Sequence, residues 1–109
     1  MLTTEQRAKL ETAIARAEQP GLCKYAVDKK RPCCVIGQLA FLEGVSVEEL
    51  HKWDVSKYGT IATLKWKMAE EFPLAKYDSF LLQDLQKTWD RSPDEEEGQF
   101  RMRRILNGY

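Results

Sequence analysis

The chain has 109 residues, and its 17 basic residues balance 17 acidic ones to a formal net charge of zero. That length allows about one domain with a core large enough to stand without disulfide or metal staples. The charge balance leaves no global field to draw the protein onto nucleic acid or an anionic membrane. A hydrophobic content of 43% with 31% charged residues is that of an ordinary globular protein and excludes a disordered chain. No run approaches the roughly 18 apolar residues of a membrane span. The opening MLTTEQRAKLETAIARAEQ carries polar residues at helical spacing where a secretory signal would have an apolar stretch. Three cysteines, two of them adjacent, make a poor disulfide framework and fit a reducing compartment, so the expected setting is the cytoplasm.

In chain order, Thr3 followed by Gln6 can form a capping box, and Leu10, Ala13, Ile14 and Ala17 recur on one face, which predicts a helix over 3–18. Pro20 and Gly21 end it. The next piece, LCKYAVDKKRPCCV, suits extended structure, and the polar group Asp28 to Arg31 suits a turn, so a small β-hairpin is expected near residues 22–35. From about Cys34 to Glu43 the apolar residues surround the helix axis, which predicts a central buried helix with Gly44 just past its end. Gly37 inside it costs about 1 kcal/mol against alanine on propensity, and so marks a close approach by another backbone.

In VSVEELHKW, Ser46 can cap a short helix from Val47 to about Trp53, with Glu49 reaching back and Val45 packing on Leu50. Thr60 can cap a further helix whose Ile61, Leu64, Met68 and Phe72 share a face before Pro73 stops it. Asp78 or Ser79 starts the next, with Leu81, Leu82, Leu85 and Trp89 on one side. Ser92 as cap, Pro93 as first helical residue and Glu95 as third predict the last helix, with Gly98, Met102, Ile105 and Leu106 turned inward. Its acidic run Asp94 to Glu97 suits the positive end of the helix dipole, and Arg101, Arg103 and Arg104 suit the negative end. The expected fold is mainly α: one compact helical bundle over 1–109, of five to six helices with the small hairpin. Its core would draw on Leu10, Ile14, Val35, Ile36, Leu39, Leu42, Leu50, Leu64, Met68, Leu82, Leu85, Trp89, Ile105 and Leu106.

The chemistry-bearing residues are few. Cys23, Cys33, Cys34 and His51 contain no pair with zinc-knuckle spacing, so neither metal nor cofactor is expected, and Asp94 to Glu97 lacks the alternating ligands and turn glycine of a calcium loop. Cys33 or Cys34 falls at a helix N-terminus, where a thiolate is favoured, and His51 could serve as its base with Asp54 or Glu48 to orient it. Of the two thiols, Cys34 is expected on the inner side and Cys33 nearer solvent, which makes Cys33 the first to test for reactivity. Lys29, Lys30 and Arg31, with Lys24 nearby, could meet phosphate while Tyr25 and Tyr58 stack on bases. Trp53, Tyr58 and Trp66 are the candidates for a protein-binding surface, since exposed aromatics anchor interfaces, whereas Trp89 lies on an apolar helix face and belongs to the core.

Cys34, Ile36, Gly37 and Leu39 in CCVIGQLAFLEG fit a C-x-[IL]-G-x-L element. Leu82, Leu85, Gln86, Trp89 and Asp90 fit an L-x-x-L-Q-x-x-[NW]-D helix end followed by an acidic helix start. In both the chain resembles small uncharacterised accessory proteins of phages and prophages, over about a third of its length. The resemblance implies a phage-type accessory protein of unknown activity, set in the host cytoplasm; it transfers no catalytic residue, and it raises the expectation of a small viral protein that binds and alters a host protein. The leading expectation is therefore a non-enzymatic accessory or inhibitor protein acting by protein binding. A cysteine-dependent enzyme using Cys33 or Cys34 with His51 is second, and weak nucleic-acid binding through Lys29 to Arg31 is third.

Overall fold

A computed structural model describes residues 2–20, 25–27, 30–55 and 74–109, with the main chain alone at 54 and 55. These residues form five helices and one two-stranded antiparallel sheet. The expected helix from Thr60 to Phe72, with Leu64 and Met68, lies outside the described residues.

Helix α1 (Thr4–Arg16) begins with the expected capping box: Thr3 Oγ1 accepts from Gln6 N–H at 3.0 Å, and Gln6 Oε1 accepts from Thr3 N–H at 3.2 Å. It ends two residues earlier than the sequence pattern suggests. Glu18 N–H leaves the helical register to donate to Cys33 C=O at 2.8 Å, and Gln19 adopts a left-handed φ of 49°. Strands β1 (Ala26–Val27) and β2 (Arg31–Pro32) pair Ala26 with Pro32 and Val27 with Arg31, and Lys30 N–H closes the turn onto Val27 C=O at 2.9 Å.

Helix α2 (Val35–Leu42) runs through the middle, with every residue from Val35 to Ala40 buried. Gly37 is where the hairpin crosses it. A β-carbon there would fall on the Tyr25 carbonyl oxygen and lie 2.9 Å from the carbonyl carbon, so only glycine lets the two backbones meet. Gly44, at φ +97°, turns the chain out of α2 as expected of a residue past a helix end. In α3 (Val47–Val55), Ser46 Oγ accepts from Glu49 N–H at 3.1 Å, and the helix packs against the hairpin, with the Tyr25 ring edge-on to Trp53 at 5.7 Å.

Helices α4 (Ser79–Asp90) and α5 (Glu95–Asn107) pack as a pair. Asp78 caps α4 by accepting from Phe80 and Leu81 N–H. The start of α5 differs from expectation. Its cap is Asp94, whose Oδ1 accepts from Glu97 N–H at 2.8 Å, while Ser92 is buried and turns its hydroxyl back onto Thr88 C=O at 2.6 Å, finishing α4. Gly98 allows the close packing of the pair, since a β-carbon there would stand 2.6 Å from the Trp89 ring. Arg7 ties α1 to the end of α5, donating to Leu106 C=O and Tyr109 C=O where a helix dipole favours a cation.

One polar knot lies at the edge of the core. The Glu43 carboxylate, whose side chain is 6% exposed, accepts from Lys9 Nζ at 2.9 Å and Lys76 Nζ at 2.5 Å, and from the buried Tyr77 hydroxyl at 2.8 Å. Burial alone would raise the Glu43 carboxyl; the bonds from Lys76, Lys9 and Tyr77 together outweigh it and hold the group below its ordinary range. The knot fastens α1, the end of α2 and the segment leading into α4.

Among the described residues most buried apolar side chains form one cluster. Ten of the expected core residues are in it: Leu10, Ile14, Val35, Ile36, Leu39, Leu50, Leu82, Leu85, Trp89 and Leu106. Leu42 and Ile105 pack at its margin, and Leu74, Tyr77 and Trp53 join it. No helix among the described residues is long and apolar enough to cross a membrane.

Candidate functional site

The two cysteines are placed by the junction of β2 and α2. Cys34 is the N-cap of α2, and its Sγ accepts from Gly37 N–H at 3.4 Å. At 2% exposure, burial pushes its thiol up to about 12, against the smaller downward pull of the Gly37 amide. That is the opposite of an activated thiol, because the helix-start position is here sealed inside the core.

Cys33 corrects the expectation of a thiol nearer solvent: it is 1% exposed. Its N–H donates to Tyr25 C=O at 2.9 Å, its C=O accepts from Glu18 N–H, and its Sγ donates to Glu18 C=O at 3.4 Å, so the hairpin and the 17–19 connection cover it from two sides. His51 is half-buried on α3, and neither thiol is hydrogen-bonded to it. Among the described residues no group of three His, Cys, Asp or Glu side chains is gathered to hold a metal ion.

Trp53 is likewise corrected. It is 2% exposed and forms part of the core, because α3 turns this face onto the hairpin and Tyr25. Tyr58, Trp66, Cys23, Lys24 and Lys29 lie outside the described residues. Lys30 is exposed at the hairpin turn, and Arg31 is engaged: its Nε donates to both Glu18 carboxylate oxygens at 3.0 and 3.1 Å. Among the described residues the aromatics that do stand in solvent are Phe41, Phe80, Phe100 and Tyr109.

What the sequence reading missed is a shallow, open cleft of about 430 Å³ where four elements meet: the end of α1, β2, the outer side of α2 and the start of α5. Its walls carry Arg16, Glu18, Arg31, Phe41 and Glu95, and Gln38 lies against it. The walls are fixed by the bonds already described between Glu18 and Cys33, and by Gln19 N–H donating to Glu95 Oε2 at 3.3 Å. Cys33 thus serves the cleft as a strut. The Gln38 amide nitrogen donates to Arg16 C=O and to Pro32 C=O, both at 2.9 Å, which fixes which way the amide faces. Phe41, 44% exposed, stands at the rim.

A depression of similar size beside Phe100 and Arg103 is lined by side chains of α5 and its cap alone, and no buried polar group reaches it. The sequence did hold one sign of the cleft: Gln38 is the polar residue in the run VIGQLAFL, and a glutamine in a helix buried all round needs partners from other elements. No family model matches the chain, and comparisons with curated proteins and with solved structures find no match.

Proposed function

We propose that the protein is a non-enzymatic accessory protein that acts by binding another protein, and that the cleft around Gln38 and Phe41 is where it does so. The observation that carries this reading is the exposed Phe41 ring at the rim of a cleft whose walls are pre-set by hydrogen bonds from four elements. An aromatic anchor beside walls already held by hydrogen bonds loses little conformational freedom on binding, which is the usual basis of an interface hot spot. The burial of both described thiols favours this reading over a cysteine-dependent enzyme, and the pairing of Arg31 with Glu18 favours it over phosphate contact through the basic turn. The resemblance of two sequence elements to phage accessory proteins extends the proposal to a host protein as the partner, with inhibition of it as the proposed effect.

The test is site-specific photo-crosslinking in extracts of the cells in which the protein occurs, with benzoylphenylalanine at position 41 and, as controls, at the exposed positions Glu11 and Lys87. A discrete adduct formed from position 41 alone, and competed by unlabelled protein, is expected. Identical adducts from all three positions, or none from position 41, would refute the proposal.

A further inference from the structure

We infer that the outward face of α5 pairs with the same face of a second copy of the chain, antiparallel and centred on Phe100. This surface is separate from the cleft beside Phe41 and does not depend on what binds there. Phe100 is 55% exposed. It stands two residues from each of the buried Gly98 and Met102, which puts it on the opposite side of the helix from the core. The helix dipole accounts for acidic residues in the first turn and basic ones in the last, but it calls for no large ring in solvent between them. The charges around the ring are also partly unspent. Among the described residues Glu96 and Arg103 form no ion pair or hydrogen bond, whereas Glu97 accepts from Arg101 Nε at 2.9 Å and the Arg104 guanidinium lies 5.9 Å from the centre of the Phe100 ring.

This face is its own complement. Glu96 and Arg104 lie four residues before and after Phe100, about 6 Å along the axis, and Glu97 and Arg103 lie three residues away, about 4.5 Å. A two-fold axis beside Phe100 therefore lays the acidic turn of one copy on the arginine turn of the other, twice over. A parallel pairing would set like charges against each other. The two rings meet at the centre, and the depression of about 470 Å³ between Glu96 and Arg103 gives the second ring room to lie offset against the first. A helix of 13 residues is only about 20 Å long, which keeps the contact at the low end of specific interfaces. The dimer is accordingly expected to be reversible, with a Kd on the order of 100 µM.

The experiment is sedimentation equilibrium of the full chain from about 10 µM to about 1 mM, a range that brackets the expected Kd. A reversible monomer–dimer equilibrium is expected, weakening between about 50 mM and about 500 mM salt because the charges that meet are exposed. Phe100→Ala should weaken it about tenfold, since it removes the central ring pair. Glu96→Arg and Arg104→Glu should each weaken it about tenfold, because by symmetry each turns two attractive contacts into two repulsive ones. An equimolar mixture of the Glu96→Arg and Arg104→Glu chains should associate about as well as the parent, since every acidic turn again faces a basic one. That rescue separates lost contact from lost folding, and far-UV circular dichroism of each variant checks the helices directly. A chain that stays monomeric up to about 1 mM would overturn the inference. So would dimers indifferent to Glu96→Arg and Arg104→Glu, a mixture no tighter than either variant alone, or dimers lost on Phe41→Ala and kept on Phe100→Ala. None of these results bears on the crosslinking test at position 41, so the two readings fail independently.

Discussion

Replacing Gly37 by alanine sets two effects of opposite sign against each other. On helix propensity alone Gly37→Ala should stabilise α2 by about 1 kcal/mol. The new methyl, however, would land on the Tyr25 carbonyl oxygen, with the carbonyl carbon 2.9 Å and the Tyr25 Cα 3.1 Å away. All three are main-chain atoms, so no side-chain rotation relieves the overlap; the hairpin must retreat. Retreat stretches the 2.9 Å bond from Cys33 N–H to Tyr25 C=O and draws the Tyr25 ring off Trp53. Overpacking of this kind costs about 1–3 kcal/mol. A weakened buried backbone bond adds about 1 kcal/mol. After the propensity gain, the net expectation is a loss of about 1–3 kcal/mol. Urea unfolding followed by tryptophan fluorescence measures it, since Trp53 and Trp89 are both core residues. A lower midpoint with an unchanged slope is expected. A variant as stable as the parent, or more so, would refute the account of Gly37 as a backbone crossing.

Four further outcomes follow from the same geometry. In a Cys23→Ser background, a small alkylating reagent at neutral pH should modify Cys33 and Cys34 only as fast as the fold opens, because both are buried and the Cys34 thiol is pushed up to about 12; labelling at the rate of a free thiol would contradict this. Glu43→Leu should cost about 1–3 kcal/mol in a urea melt, chiefly by removing the carboxylate that the buried Tyr77 hydroxyl donates to at 2.8 Å, with the half-exposed Lys76 adding little. The pH dependence has a definite sign. The folded Glu43 pKa is lowered, so its contribution is present above the unfolded carboxyl value and fades as pH falls through the lower folded one; the Tyr77 pKa is raised, first by burial and then by Glu43, so its contribution is present below the unfolded phenol value and is lost in strong alkali. Glu43→Gln should therefore flatten the acid limb of stability against pH, and an unchanged limb would show that the knot contributes nothing. Asp94→Ala should lower stability by about 1 kcal/mol and Asp94→Ser should restore most of it, as measured by thermal unfolding; a neutral Asp94→Ala would return the cap of α5 to Ser92.

By itself the sequence determined the elements whose signals are local. The capping box at Thr3, the Ser46 and Asp78 starts and the position of Gly44 were all readable, since a side chain reaches its own backbone within four residues whatever the rest of the chain does. So was most of the core, because apolar spacing already fixes which helix faces must meet. Gly37 announced a crossing without saying what crosses. Tertiary structure decided that the crossing backbone is that of Tyr25, and with it the burial of Trp53 and Cys33, which no spacing rule separates from exposed positions. It also moved the cap of α5 from Ser92 to Asp94, because the buried Ser92 hydroxyl found a nearer acceptor in α4. The cleft is tertiary throughout. Arg16, Arg31, Gln38 and Glu95 come from four elements, and only the path of the chain through Glu18 and Cys33 brings a lone glutamine in an apolar run into its lining.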